Sequence, residues 1–120
     1  MSFNIAKNTR VRTVNVAALV EDQVYTLYTC PANCRAMMSL LFLTNVNGNT
    51  TVDVEWDRAD GSHMHILGGK NLTAGEFVQF SDGYVVFEAG DEMTVVASGN
   101  ASPHIDVLAT VEEYFIPVGG

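Results

Sequence analysis

The segment VDVEWDRADGSHMH, residues 52–65, gathers the side chains best suited to chemistry. Asp53, Glu55 and Asp57 alternate with Val52, Val54 and Trp56. In an extended chain the carboxylates therefore share one face and the apolar residues the other. His63 and His65 share a face of the next extended run. The connection Arg58–Ser62 is short enough for a hairpin, and pairing across it sets Glu55 or Asp57 beside His63 or His65. Imidazole with carboxylate suits zinc or manganese. The ordinary alternative is a solvated face carrying cross-strand polar pairs. That alternative is the expectation, because nothing else in the chain closes a ligand set. No metal and no cofactor are expected.

Other chemistry finds little support. There is no nucleophile elbow, no HExxH, no glycine-rich phosphate loop and no calcium-loop pattern. The third histidine, His104, stands apart. No catalytic residue is assigned, and the chain is read as a non-enzyme. Cys30 and Cys34, in TCPANC, lack the spacing of a redox CxxC pair. They read as two small apolar thiols at the ends of a turn, with a short-loop disulfide or metal ligation as the alternatives. Trp56, between valines, reads as core. The competing role, a sugar-stacking platform, would need it to face outward.

The elements that must position these residues are short and β-rich. Turn signals at Asn47-Gly48, Asp60-Gly61, Gly68-Gly69, Ala74-Gly75, Asp82-Gly83 and Ala89-Gly90 punctuate apolar runs. The pattern predicts strands at Val11–Ala17, Val24–Thr29, Arg35–Asn45, Thr51–Asp57, His63–Leu67, Glu76–Phe80, Tyr84–Glu88, Glu92–Ala97 and Ile105–Phe115. No window has a helical period. The fold class that follows is all-β, an antiparallel β-sandwich of jelly-roll type. Two strands carry irregularities. In Arg35–Asn45 simple alternation puts Ala36, Met38, Leu40 and Phe42 on one face and Met37, Leu41 and Leu43 on the other, so both faces are apolar. Something must cover the second one, either the N-terminal arm or another subunit. Met37, Leu41 and Leu43 are therefore interface candidates. In the last strand Glu112-Glu113 breaks the apolar alternation, which predicts a bulge or a change of partner there.

A chain of 120 residues is one domain and can bury about two-thirds of its unfolded surface without a metal or disulfide staple. Charged residues are only 17% of it, and the net charge is −8. Nucleic acid and anionic membrane are poor partners for six bases against fourteen acids. No apolar run is long enough to span a bilayer. The N-terminus lacks the apolar core of a secretory signal, so synthesis in a cytoplasm is expected. The charge is unevenly spread. Lys7, Arg10 and Arg12 are half of the six bases, and no acid precedes Glu21. Residues 1–10 therefore read as a basic arm on a domain spanning 11–120, with Phe3 and Ile5 as apolar anchors. Such an arm favours an acidic neighbour, and a second copy of the same domain is one.

From Tyr28 to Ser98 the landmarks run in a recurring order. Tyr28-Thr29 precede a Pro31-Ala32 turn and the long apolar run Arg35–Asn45. Gly48, Leu67, Leu72 and the Ala74-Gly75 turn follow, then Glu88-Ala89-Gly90-Asp91 opens the segment ending at Ala97-Ser98. This order resembles the small β-sandwich virion proteins of tailed bacteriophages, which serve as head-decoration or tail-fibre modules. Cys30, Cys34 and the arm lie outside that pattern. The resemblance implies a structural protein of the virion, made in the host cytoplasm, without enzymatic activity. It implies a homo-oligomer such as a trimer that cements or decorates a capsid by bridging subunits of the major capsid protein. The alternative is a receptor- or glycan-binding module of a fibre, with Asn47–Thr50 and Arg58–Ser62 as contact loops. A metal-dependent, cupin-like enzyme using His63 and His65 is a distant third.

Overall fold

The computed structural model describes residues 9–81 and 85–116. Nine strands occupy them: β1 (Thr9–Ala18), β2 (Val24–Thr29), β3 (Cys34–Asn45), β4 (Thr50–Asp57), β5 (His63–Leu72), β6 (Phe77–Phe80), β7 (Val85–Phe87), β8 (Glu92–Ser98) and β9 (Ile105–Phe115). No helix occurs among the described residues. The expected Asp82-Gly83 turn and Tyr84 lie outside them.

Two antiparallel sheets form. The first has the order β1-β9-β3-β6, with β7 also paired to β3, and the second runs β2-β8-β4-β5. The chain passes from one sheet to the other between β1 and β2, β2 and β3, β3 and β4, β5 and β6, β7 and β8, and β8 and β9. That winding is a jelly roll. Asn47-Gly48 therefore turns the chain between sheets, while Asp60-Gly61 closes the true β4–β5 hairpin. Gly68-Gly69 does not end β5. The pairing of β4 with β5 slips around Val54, and Gly69 adopts φ +66°. A bulge of this kind needs glycine, and β5 continues past it to Leu72.

The core fills the space between the inner faces. Leu41, Leu43, Val107, Ala109 and Val111 meet Val52, Val54, Met93, Val95 and Ala97, all essentially buried. Burying a Leu or Val side chain stabilises by about 1.5–3 kcal/mol. Phe87 lies edge-on to both Tyr28 and Trp56, at centroid distances of 5.4 and 6.0 Å.

Two sequence expectations are corrected. The doubly apolar strand is resolved by a bulge within β3: Met38 pairs with Val111 but Leu40 pairs with Thr110, leaving Ser39 as the extra residue. One inserted residue exchanges the faces that follow it. Leu41 and Leu43 thus join Ala36 and Met38 in the core, each 0% exposed. They have no surface left to lose on association. Leu40 and Phe42 instead join Met37 on the outer face. The second correction concerns β9, which has no bulge at Glu112-Glu113. Its register with β1 runs unbroken from Thr9↔Tyr114 to Ala18↔Ile105, so Glu113 simply takes an inward position.

Candidate functional site

The inward Glu113 is the buried base of an ionic cluster whose arginines are half-exposed. Tyr28 donates its hydroxyl to Oε2 at 2.5 Å. Arg10 donates to Oε1 through Nε at 2.9 Å and Nη2 at 2.6 Å, and Arg12 donates to Oε2 at 3.1 Å. Burial by itself would raise the Glu113 pKa. The hydrogen bonds from Tyr28 and Arg10 and the charges of both arginines outweigh it, and the carboxyl is held below its ordinary value. The Tyr28 hydroxyl is pushed up, mainly by burial and then by Glu113. The cluster joins β1 and β9 of one sheet to β2 of the other. Arg10 and Arg12 were expected to face an acidic neighbour. The structure gives them an acid of their own chain, and β1 starting at Thr9 makes Arg10 part of the sandwich rather than of an arm. Phe3, Ile5 and Lys7 lie outside the described residues.

The outer face of the first sheet is the larger candidate surface. The register places Val11, Glu112, Met37 and Val86 in one row across four strands. A second row holds Asn15, Leu108, Phe42 and Gln79, and a third holds Ala17, Asp106, Thr44 and Phe77. Only Glu112 and Asp106 are charged in these three rows. Val11 and Phe77 are 66% and 61% exposed, and Phe42 meets Phe77 at 5.5 Å between ring centroids. A shallow hollow of about 460 Å³ opens here beside Thr13, Asn15, Phe42 and Leu108. A lightly charged, partly aromatic sheet face of this kind is suited to contact with other protein. Of the interface candidates among the described residues, Met37 alone lies on it. Phe42, Leu40, Leu108 and Phe77 were missed, because their facing depends on the Ser39 bulge and on pairing with β9.

The outer face of the second sheet is polar. Glu55 pairs with His65 and Asp57 with His63 in the β4–β5 register, which is the juxtaposition the hairpin predicted. His65 Nε2 is 3.6 Å from Glu55 and 4.0 Å from Asp53, and His63 Nδ1 is 3.8 Å from Asp57. The Glu55 carboxyl is raised, first by Asp57, to which its acid form donates, then by burial and by the Asp57 charge. His63 and His65 oppose the rise.

Trp56 is half-buried. Its indole N–H donates to Asp91 at 3.3 Å, and Arg58 stacks over its ring at 4.7 Å. The contact loops proposed for a glycan are internally bonded: Asn45 and Asn100 donate to the carbonyls of Gly48 and Asn47, and Asp60 caps Ser62. Cys30 and Cys34 are free and buried, and burial, then Cys34, pushes the Cys30 thiol up to about 11.

Fold and faces together define a jelly-roll sandwich with one apolar outer face. Solved proteins share this fold. A chain of the acid-stable capsid of Helicobacter pylori bacteriophage KHP30 superposes with a TM-score of 0.60 at 15% identity, over 92% of this chain and 90% of that one. A chain of the Bacillus endospore appendages, disulfide-linked pili, gives 0.57 at 12% identity, over 92% and 90%. A chain of infectious bursal disease virus, Gx strain, gives 0.54 at 12% identity, and this sandwich spans 34% of its length. No protein-family model matches the sequence, and no curated protein does. At these identities the likeness is one of fold.

Proposed function

We propose that this chain is a structural protein of a bacteriophage virion, present in many copies and decorating or cementing the capsid shell. The observation that carries the reading is a jelly roll of matching extent in a phage capsid chain, covering nine-tenths of both molecules. The exposed apolar face of the first sheet supports it, since repeated contact with other protein is what such a face suits. Trp56 packed against Phe87 argues against its use as a stacking platform for a glycan. Cryo-EM of the particle encoded with this chain tests the proposal. Symmetric copies of the sandwich on the shell are expected. Copies confined to fibre tips would favour the receptor-binding alternative, and absence from the particle would refute a virion role.

The outer face offers a sharper test. Phe42→Asp places a charge among Leu108, Phe77 and Gln79 and should convert an oligomer or a particle-bound form into free, folded monomer. Leu41→Asp, one residue away, should instead unfold the domain, because it buries an unpaired charge in the core. Sedimentation and circular dichroism separate the two. If Phe42→Asp assembles like the wild type, the face is not the interface.

The N-terminal residues complete the reading. The sequence expectation that Phe3 and Ile5 anchor on a neighbouring copy, with Lys7 paired to its acids, is part of this proposal and concerns residues outside the described ones. Exposed ion pairs contribute about 0–1 kcal/mol each, less than burial of a phenyl ring. Deleting residues 1–8, which spares Arg10, should weaken particle binding at least tenfold and leave the melting temperature within a few degrees. Unchanged affinity would reduce the segment to a solvated tail.

A further inference from the structure

We propose that Glu55, Asp57 and His63, with His65 as an additional donor, form a binding site for a divalent transition-metal ion, zinc being the best match. One ligand atom from each of Glu55, Asp57 and His63 lies within 4.8 Å of the others. Zinc bonds of about 2 Å separate neighbouring donors by about 3–4 Å. Closing the set therefore needs only side-chain rotation, which His63, 63% exposed, is free to make. The backbone does not have to move. β4 is held on both sides, by β5 and β8.

A separate observation points into the same space. Asp57 Oδ2 accepts from Thr94 at 3.3 Å, but Oδ1 is buried and accepts no hydrogen bond among the described residues. A buried carboxylate oxygen without a donor is unfavourable. His63 Nδ1 lies 3.8 Å from it, beyond hydrogen-bond reach but a suitable separation for two ligands of one ion. Lys and Arg do not compensate the three carboxylates: the ion pairs formed by Asp53, Glu55 and Asp57 are with histidines alone among the described residues. A hollow of about 340 Å³ over Asp53, Glu55, Asp57, His65 and Thr94 leaves room for coordinating water. Mixed imidazole and carboxylate donors favour zinc over magnesium or calcium, which take oxygen ligands. The inference rests on this face alone and is independent of the assembly reading.

The test is a calorimetric titration of ZnCl2 into the folded full-length chain, paired with thermal melts. One zinc per chain with a micromolar Kd is expected, and 1 mM zinc should raise the melting temperature by several degrees while 1 mM magnesium does not. His63→Ala and Asp57→Asn should each weaken zinc at least tenfold. Glu55→Gln provides a third variant should either of these misfold. His104→Ala removes the separate His104–Asp106 pair, 2.9 Å apart, and should leave zinc affinity unchanged. No saturable zinc binding up to 1 mM would overturn the site. So would full affinity in the folded His63, Asp57 or Glu55 variants, or loss of binding in His104→Ala.

Discussion

Replacing Glu113 by alanine should lower the stability of this domain by about 1–3 kcal/mol, the range for leaving a buried hydrogen-bonding group without its partner. Glu113 is 0% exposed and is the common acceptor for Tyr28, Arg10 and Arg12. Alanine would leave the Tyr28 hydroxyl, itself buried, with no acceptor. Arg10 and Arg12, 50% and 41% exposed, would lose their carboxylate but keep access to water. For a domain of this length the loss corresponds to on the order of 3–12 °C in melting temperature. Glu113→Gln keeps an oxygen for Tyr28 and should fall between the two.

The same residue sets an acid dependence whose sign is fixed. Its pKa is depressed in the fold, so its contribution is fully present above the ordinary carboxylate pKa. That contribution is lost as pH falls through the ordinary value and on through the depressed one. Wild type should therefore lose stability with acid more steeply than Glu113→Gln. Urea denaturation at a series of pH values measures both the loss and its slope. A loss under 1 kcal/mol at neutral pH, or parallel curves, would mean that the cluster contributes little.

Asp91→Ala should cost about 3–5 kcal/mol by the same mechanism in a different place. The Asp91 side chain is 1% exposed. It accepts the backbone N–H groups of Ala59 and Glu88, each at 2.9 Å, together with the Trp56 indole, and it pairs with Arg58 at 3.3 Å. One carboxylate thus ties the Glu88–Asp91 turn to the β4–β5 hairpin. Burial opposes its ionisation, but those donors and Arg58 outweigh it and hold its pKa down. Gly90, at φ +88°, passes so close that an added Cβ would lie 3.2 Å from that of Ala59. Hydrogen exchange should speed up at the Ala59 and Glu88 amides in Asp91→Ala and in Asp91→Asn to a lesser degree. Unchanged exchange at those two amides would remove Asp91 as the link.

Local pattern determined much of this protein. Thr51–Asp57 alternates so cleanly that its inner valines and outer carboxylates were legible without a structure, as was the hairpin that sets His63 and His65 beside them. Those features depend on residues close together in the chain, where period and turn chemistry act directly. The absence of any helical period and the recurrence of turn dipeptides determined the sandwich for the same reason. The facing of β3 was not legible, because a single extra residue at Ser39 is defined only against β9, far along the chain. That pairing moved Leu41 and Leu43 from supposed interface to core and brought Phe42 to the surface. Glu113 was read as a break in a strand, since nothing near it in sequence announces Tyr28, Arg10 and Arg12 as its partners. A buried carboxylate is tolerated only where distant donors converge on it, and only the tertiary structure brings those donors together.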